Sequence, residues 1–356
     1  RYPESPVSRK AAAEIGLLHY QNEQYNEAID AYKFVIQKYP GSEEARLAFH
    51  DLKSIYIDLD RVDEFAALAQ NLPGNMTFDV NEQDSLTYVA AEKIYARGQI
   101  NQAKESFNRY LQSYPQGAFT LSAHYYLTVI AKEQRNTDLV LQHSAKLLEY
   151  PDNPYSEEAL VMRGEVQFNH QNYREALVTY KMLKEKASSA DRRVIAETGI
   201  LRCAFFLRDD TEIIHAATDL LGEPKLSPEL VTEATYYRAK AYMRQNAAHS
   251  AMIDFRTLSK DTRNLFGAEA KYLVAEYEYN QKDYAAAEKE LLDFIQQSTP
   301  HMYWLAKGFV LLSDVYVAMG RPLDARQYLL SLQQNYQADE EINKMIETRL
   351  EKLNQN

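Results

Sequence analysis

GLLHYQNEQYNEAIDAYKFVIQKYP, residues 16–40, reads as two helices joined by a short turn. Ala28 is the reference point. A small residue, Gly16, stands twelve places before it, and large apolar residues stand eight before it (Tyr20) and four after it (Tyr32). Small residues let two antiparallel helices approach, and large ones fill the space beside them. Tyr39-Pro40 closes the stretch. Proline cannot continue a helix and turns the preceding residue away from helical dihedrals. The reading is helix A near Ser8–Asn22 and helix B near Tyr25–Lys38.

The same register recurs along the chain. Anchors Ala103, Ala176, Ala251, Ala287 and Ala325 follow small residues at Ala91, Gly164, Ala239, Ala275 and Ser313. Their large partners four places on are Phe107, Tyr180, Phe255, Leu291 and Leu329, and those eight places before are Tyr95, Phe168, Met243, Tyr279 and Val317. Degenerate repeats near 43–74, 118–151 and 191–222 keep the spacing with anchors at Phe65, Val140 and Ile213. Nine anchors at near-constant separation predict nine helical hairpins. After Tyr336, the segment DEEINKMIETRLEKL carries Ile342, Met345, Ile346, Leu350 and Leu353 on one face, and is expected to form a capping helix. Arg1-Tyr-Pro-Glu-Ser resembles the end of another repeat, so the chain is expected to be the C-terminal part of a longer array.

Composition narrows the function. The formal charge of -11 argues against a phosphate-backbone ligand, and the short basic stretches at Lys184–Lys186 and Arg192-Arg193 read as solvated helix faces. Cys203, the one cysteine, excludes an intrachain disulfide, and its apolar flanks predict a buried, inert thiol. No apolar run reaches the roughly 20 residues that span a bilayer. None of the eight histidines forms a helical metal pair, and no Walker, GxGxxG or GxSxG sequence occurs. Acid pairs such as Glu43-Glu44, Asp209-Asp210 and Glu340-Glu341 belong at helix starts. The chain is therefore expected to lack catalytic, cofactor and metal residues. The 27 tyrosines suit half-buried positions between helices.

The small residue, anchor alanine, aromatic and closing proline resemble the tetratricopeptide repeat (TPR) family, whose repeat is slightly shorter. The resemblance implies an all-α fold: a right-handed α-solenoid of about nine TPR-like hairpins plus the capping helix, with residues 1–356 as a single superhelix. The longer repeat and the closings Tyr39-Pro-Gly-Ser-Glu-Glu-Ala45 and Tyr150-Pro-Asp-Asn-Pro-Tyr-Ser-Glu-Glu-Ala159 are similar to those of bacterial cell-envelope TPR proteins. Examples are the Tol-Pal coordinator and outer-membrane assembly lipoproteins. This implies a scaffold binding protein or peptide, in the periplasm or peripheral to the envelope, although the cytoplasm is also open.

In the family geometry, helix-A residues fifteen, eleven and seven before each anchor face the binding groove. Here these include Tyr88, Glu92, Glu165, Tyr236, Lys240, Arg244, Tyr272, Glu276 and Asn280. Positions eleven before the anchors hold mostly acids, so a groove that clamps a partner's C-terminal carboxylate is not expected. Two other readings stand beside the scaffold: a substrate-recruiting arm of a larger enzyme with its catalytic domain upstream, and an RNA-binding repeat, which the acidic charge disfavours.

Overall fold

The computed structural model describes residues 5–73, 78–150, 152–336 and 339–355. Among them are nineteen α-helices and no strand. They divide into two compact units, Arg1–Gln167 and Phe168–Asn356.

The first unit holds α1 (Pro6–Gln21), α2 (Tyr25–Lys38), α3 (Glu43–Asp58), α4 (Val62–Ala69), α5 (Val80–Ala96), α6 (Ile100–Ser113), α7 (Thr120–Glu133) and α8 (Thr137–Leu148). It also holds most of α9 (Ser156–Asn169). The second holds α10 (Tyr173–Lys186), α11 (Ala190–Leu207), α12 (Asp210–Gly222), α13 (Pro228–Arg244), α14 (Ala248–Leu258), α15 (Leu265–Asn280), α16 (Tyr284–Gln296), α17 (Met302–Ala318), α18 (Pro322–Asn335) and α19 (Glu340–Gln355). From α1 the odd-numbered helices are A helices and the even-numbered ones B helices. Within each unit neighbouring helices pack against one another, as α1 does α2 and α15 does α16, and A helices touch across them, as α1 does α3 and α15 does α17.

The anchors explain the packing. Ala28, Ala103, Ala176, Ala251, Ala287 and Ala325 are fully buried, and so are Phe65, Val140 and Ile213 in the degenerate repeats. Gly16 meets a ring: a Cβ there would lie 2.7 Å from Tyr32 Cε1. Between hairpins, Gly199 on α11 leaves room for the Tyr180 ring of α10, which a Cβ there would overlap.

Two residues depart from the expected packing. Met243 and Val317, eight before their anchors, are 39% and 49% exposed. At the same position Tyr20, Phe168 and Tyr279 pack against Tyr25, Tyr173 and Tyr284, the first residues of their B helices, with centroids 5.3–6.0 Å apart, the first two edge-on and the third tilted. The B helices after Met243 and Val317 begin with Ala248 and Pro322, which are too small to cover them.

The hairpin turns carry a signature the composition hides. Glu23, Asp60, Gly98, Arg135, Gln171, Arg208, Asn246, Lys282 and Gly320 all have positive φ, between 55° and 76°. Each stands five residues before an anchor. In eight of them the next residue donates its N–H to a carbonyl five places back, as Gln24 does to His19, Arg61 to Tyr56 and Asp283 to Glu278. This is the Schellman closure of a helix C-terminus. It appears in degenerate and well-formed hairpins alike, so all nine anchors are confirmed by backbone geometry.

Side-chain caps begin many helices: Ser42, Asp79, Asn136, Asp209, Ser227 and Asn264 each accept from a backbone N–H three residues on. Helix α19 packs on α17 and α18 and buries Ile342 and Ile346 fully, which makes it the cap foreseen for the last hairpin. The segment Asn71–Asp84, a sequence-based candidate for first proteolysis, includes residues 74–77, which lie outside the described residues.

Candidate functional site

In the second unit the A helices α11, α13, α15 and α17 carry recurring charges at two positions. The residue eleven before one anchor lies beside the residue eighteen before the next. Arg202 on α11 grips Glu233 on α13 with two hydrogen bonds, Nε to Oε1 at 2.8 Å and Nη2 to Oε2 at 2.7 Å. Lys240 on α13 donates to Glu269 on α15 at 2.8 Å. These pairs tie each A helix to the next. Farther along, Arg349 on α19 holds Asp314 on α17 through a similar fork at 2.8 and 2.7 Å.

The tyrosine fifteen before the anchor follows the acid. Tyr236 donates its hydroxyl across to Glu269 at 2.8 Å, so Tyr236 and Lys240 converge on one carboxylate. Tyr272 donates instead to Glu276 on its own helix at 2.6 Å. Burial, reinforced by these carboxylates, holds both phenols well above their usual pKa.

Between α15 and α17 the signs reverse: Glu276 takes the basic position and Lys307 the acidic one. They form no ion pair. Lys307 Nζ sits 5.1, 5.4 and 5.7 Å from the ring centroids of Tyr272, Trp304 and Tyr303. Among the described residues no carboxylate lies within ion-pair distance of it. Each cation–π contact is worth about 0.5–1 kcal/mol at an exposed site.

The sequence-predicted residues fall as follows. In the first unit, Tyr88 is 6% exposed, stacks on Phe119 and donates to Glu92 at 3.2 Å, while Tyr126 also donates to Glu92 at 2.9 Å. Glu165 pairs with Lys132 at 2.6 Å. In the second unit, Tyr236 and Tyr272 are 9% and 7% exposed, so most of each ring serves packing. Arg244 is exposed and reaches back to Asp210 on α12 at 2.7 Å. Lys240 and Glu276 are half-buried, and Asn280 is exposed at the end of α15. Tyr236 and Lys240 thus meet at one carboxylate on α15, and Tyr272 and Glu276 pair with each other on that helix.

Sequence reasoning missed Glu269, Trp304 and Lys307. Positions eighteen and fifteen before an anchor share a helix face at i, i+3 spacing, so extending the stripe by one turn would have found Glu269 and Lys307.

Cys203 is fully buried, and burial pushes its thiol up to about 12. His124 on α7 and His143 on α8 place their Nδ1 atoms 3.0 Å apart. Burial lowers both, His124 to about 4; His143 and Lys146 add to the effect on His124, and Lys104 adds to that on His143. Among the described residues no group of three or more His, Cys, Asp or Glu is placed to hold a metal ion. No described helix is long and apolar enough to cross a membrane.

The tetratricopeptide repeat family model matches residues 14–42 and 91–117. A comparison with curated proteins finds no match. Solved structures similar to the chain include the P58(IPK) TPR domain, at 12% identity over 98% of both chains with a TM-score of 0.30. A tetratricopeptide repeat protein from Parabacteroides merdae is 15% identical over 97% of this chain and 99% of its own, with a TM-score of 0.29. The apo quorum sensor NprR from B. thuringiensis is 11% identical over 94% of this chain and 81% of its own, with a TM-score of 0.39. The family model thus places tetratricopeptide repeats at residues 14–42 and 91–117, and the turn-and-anchor register of those hairpins recurs in the others.

Proposed function

We propose that this protein is a non-catalytic scaffold that takes a segment of another protein on the A-helix surface of its second unit. The observation that carries this reading is the row on α11, α13, α15 and α17. Half-buried aromatics alternate there with charges fixed by interhelical pairs, Phe205 stacked on Tyr237 at 4.0 Å and Phe266 on Tyr236 at 4.3 Å. Aromatic side chains offer large contact area at low entropic cost, and fixed charges give register. Tyr236 and Tyr272 contribute chiefly as supports, whereas Lys240, Glu276, Asn280, Trp304 and Lys307 present polar or aromatic surface.

Peptides selected by display on the intact chain test this. Photo-crosslinkers placed at Asn280 and Lys240 are expected to capture them. Peptides that crosslink instead to the outer faces of α14, α16 and α18 would remove the reading. We further infer an envelope location in a bacterium from the closing pairs Tyr39-Pro40, Tyr114-Pro115 and Tyr150-Pro151, and fractionation of source cells tests it.

A further inference from the structure

We infer that the Glu276/Lys307 position is an unfilled rung that accepts a side-chain carboxylate of the bound segment; this rests on the scaffold reading above. The filled rungs set the pattern. Arg202–Glu233 and Lys240–Glu269 occupy the same pair of repeat positions, and each carboxylate there is compensated by a cation from the preceding A helix. At α15–α17 both members are present with signs exchanged, and the pair is broken from both sides. Tyr272 draws Glu276 back along its own helix, and the rings of Tyr272, Tyr303 and Trp304 draw Lys307 onto their faces.

Lys307 is thereby the cation of this row without an acidic partner. The carboxylates of this row and of the rings that hold it are occupied: Glu269 by Lys240 and Tyr236, Glu276 by Tyr272, Asp314 by Arg349, and Glu341 by Tyr303. Ring faces satisfy an ammonium on the side they cover and leave its remaining N–H donors unpaired. A carboxylate arriving from the partner completes those hydrogen bonds, and a neighbouring apolar side chain of the same segment packs on Trp304 and Tyr303. A cationic side chain would meet Lys307 with like-charge repulsion. The chemistry that fits is an acidic residue next to an aromatic or aliphatic one.

The test uses short amidated peptides selected on the intact protein and mapped to α13–α17 by crosslinking. Amidation removes the terminal carboxylate, so side-chain acids are read alone. Enrichment of Asp or Glu beside an apolar residue is expected. Changing that acid to its amide should weaken binding by about tenfold on the wild type and leave Lys307→Gln unaffected. Glu276→Gln, which removes a nearby negative charge, should tighten acidic peptides. Lys307→Glu should select basic peptides instead. Peptides that bind this surface without acid preference, or that bind Lys307→Gln as tightly as wild type, overturn the inference and leave the scaffold reading standing. Binding that requires a free C-terminus overturns it too. Peptides that crosslink elsewhere remove both. Equal melting temperatures for wild type and Lys307→Gln ensure that lost binding is not lost folding.

Discussion

The α13–α15 and α15–α17 contacts use the same repeat positions and dispose of charge differently. In the first, the acid sits on the following helix, and both Lys240 and Tyr236 reach across to it. The carboxylate becomes part of the packing, and Glu269 is only 9% exposed. In the second, the acid sits on the preceding helix, Tyr272 finds it without crossing, and the cation opposite is left to the rings. Exchanging two charges within one repeat frame converts a structural tie into an available group. The position of the acid decides which, because the tyrosine hydroxyl goes wherever the acid is.

The largest expected effect tests the frame that this comparison assumes. Ala176 is a fully buried anchor of the second unit. Ala176→Trp is expected to cost at least about 3 kcal/mol, because an indole has no void to enter. Urea unfolding measures it, and a wild-type midpoint would mean that the shared register is wrong.

Next comes a paired contact that protons break. The neutral rings of His124 and His143 share one hydrogen between their Nδ1 atoms, with Lys104 on α6, Lys146 on α8 and Glu149, which caps the end of α8, placed around them. Here the folded pKa is below the unfolded one, from 6.5 to about 4 for His124. The unfolded chain therefore binds the proton first. The pair's contribution is complete above the unfolded pKa, falls as pH drops from about 6.5 toward 4, and then levels. A loss on the order of 2 kcal/mol over that window is expected. Unfolding curves of wild type and His124→Gln against pH check this: the variant should have the flatter profile.

The smallest effect addresses the two rungs directly. Lys240→Met leaves Glu269 without its cation and is expected to cost about 1–2 kcal/mol. Lys307→Met keeps an apolar stem over the same rings and breaks no ion pair, so its stability should stay within about 0.5 kcal/mol of wild type. Thermal melts of the two variants side by side suffice. Equal losses would mean that the open rung is structural after all.

The anchors were legible because packing two helices demands small residues at fixed places, and Ala28 or Gly16 shows that demand without any partner in view. The capping helix was legible for the same reason, through Ile342 and Ile346. The rungs were not, because Lys240 and Glu269 lie 29 residues apart and neither is unusual where it stands. The covering of Tyr20 and exposure of Met243 were hidden as well, since they depend on whether the next helix opens with Tyr25 or Ala248. The left-handed turns went unseen because Glu23, Asp60 and Arg135 occupy places where glycine would have announced the conformation.

Those turns fix how the chain tolerates change. The left-handed residue stands at one distance from the anchor in all nine hairpins, whatever its identity, so side chains there are free to drift while length is not. Inserting one residue between Gly16 and Glu23 would rotate everything on one side by about 100° around the helix axis and carry the small residue off its seam. Lengthening a connection between hairpins, such as the loop after α12, disturbs no such phase. Among variants of this chain, insertions and deletions are therefore expected to collect between hairpins, and substitutions alone within them.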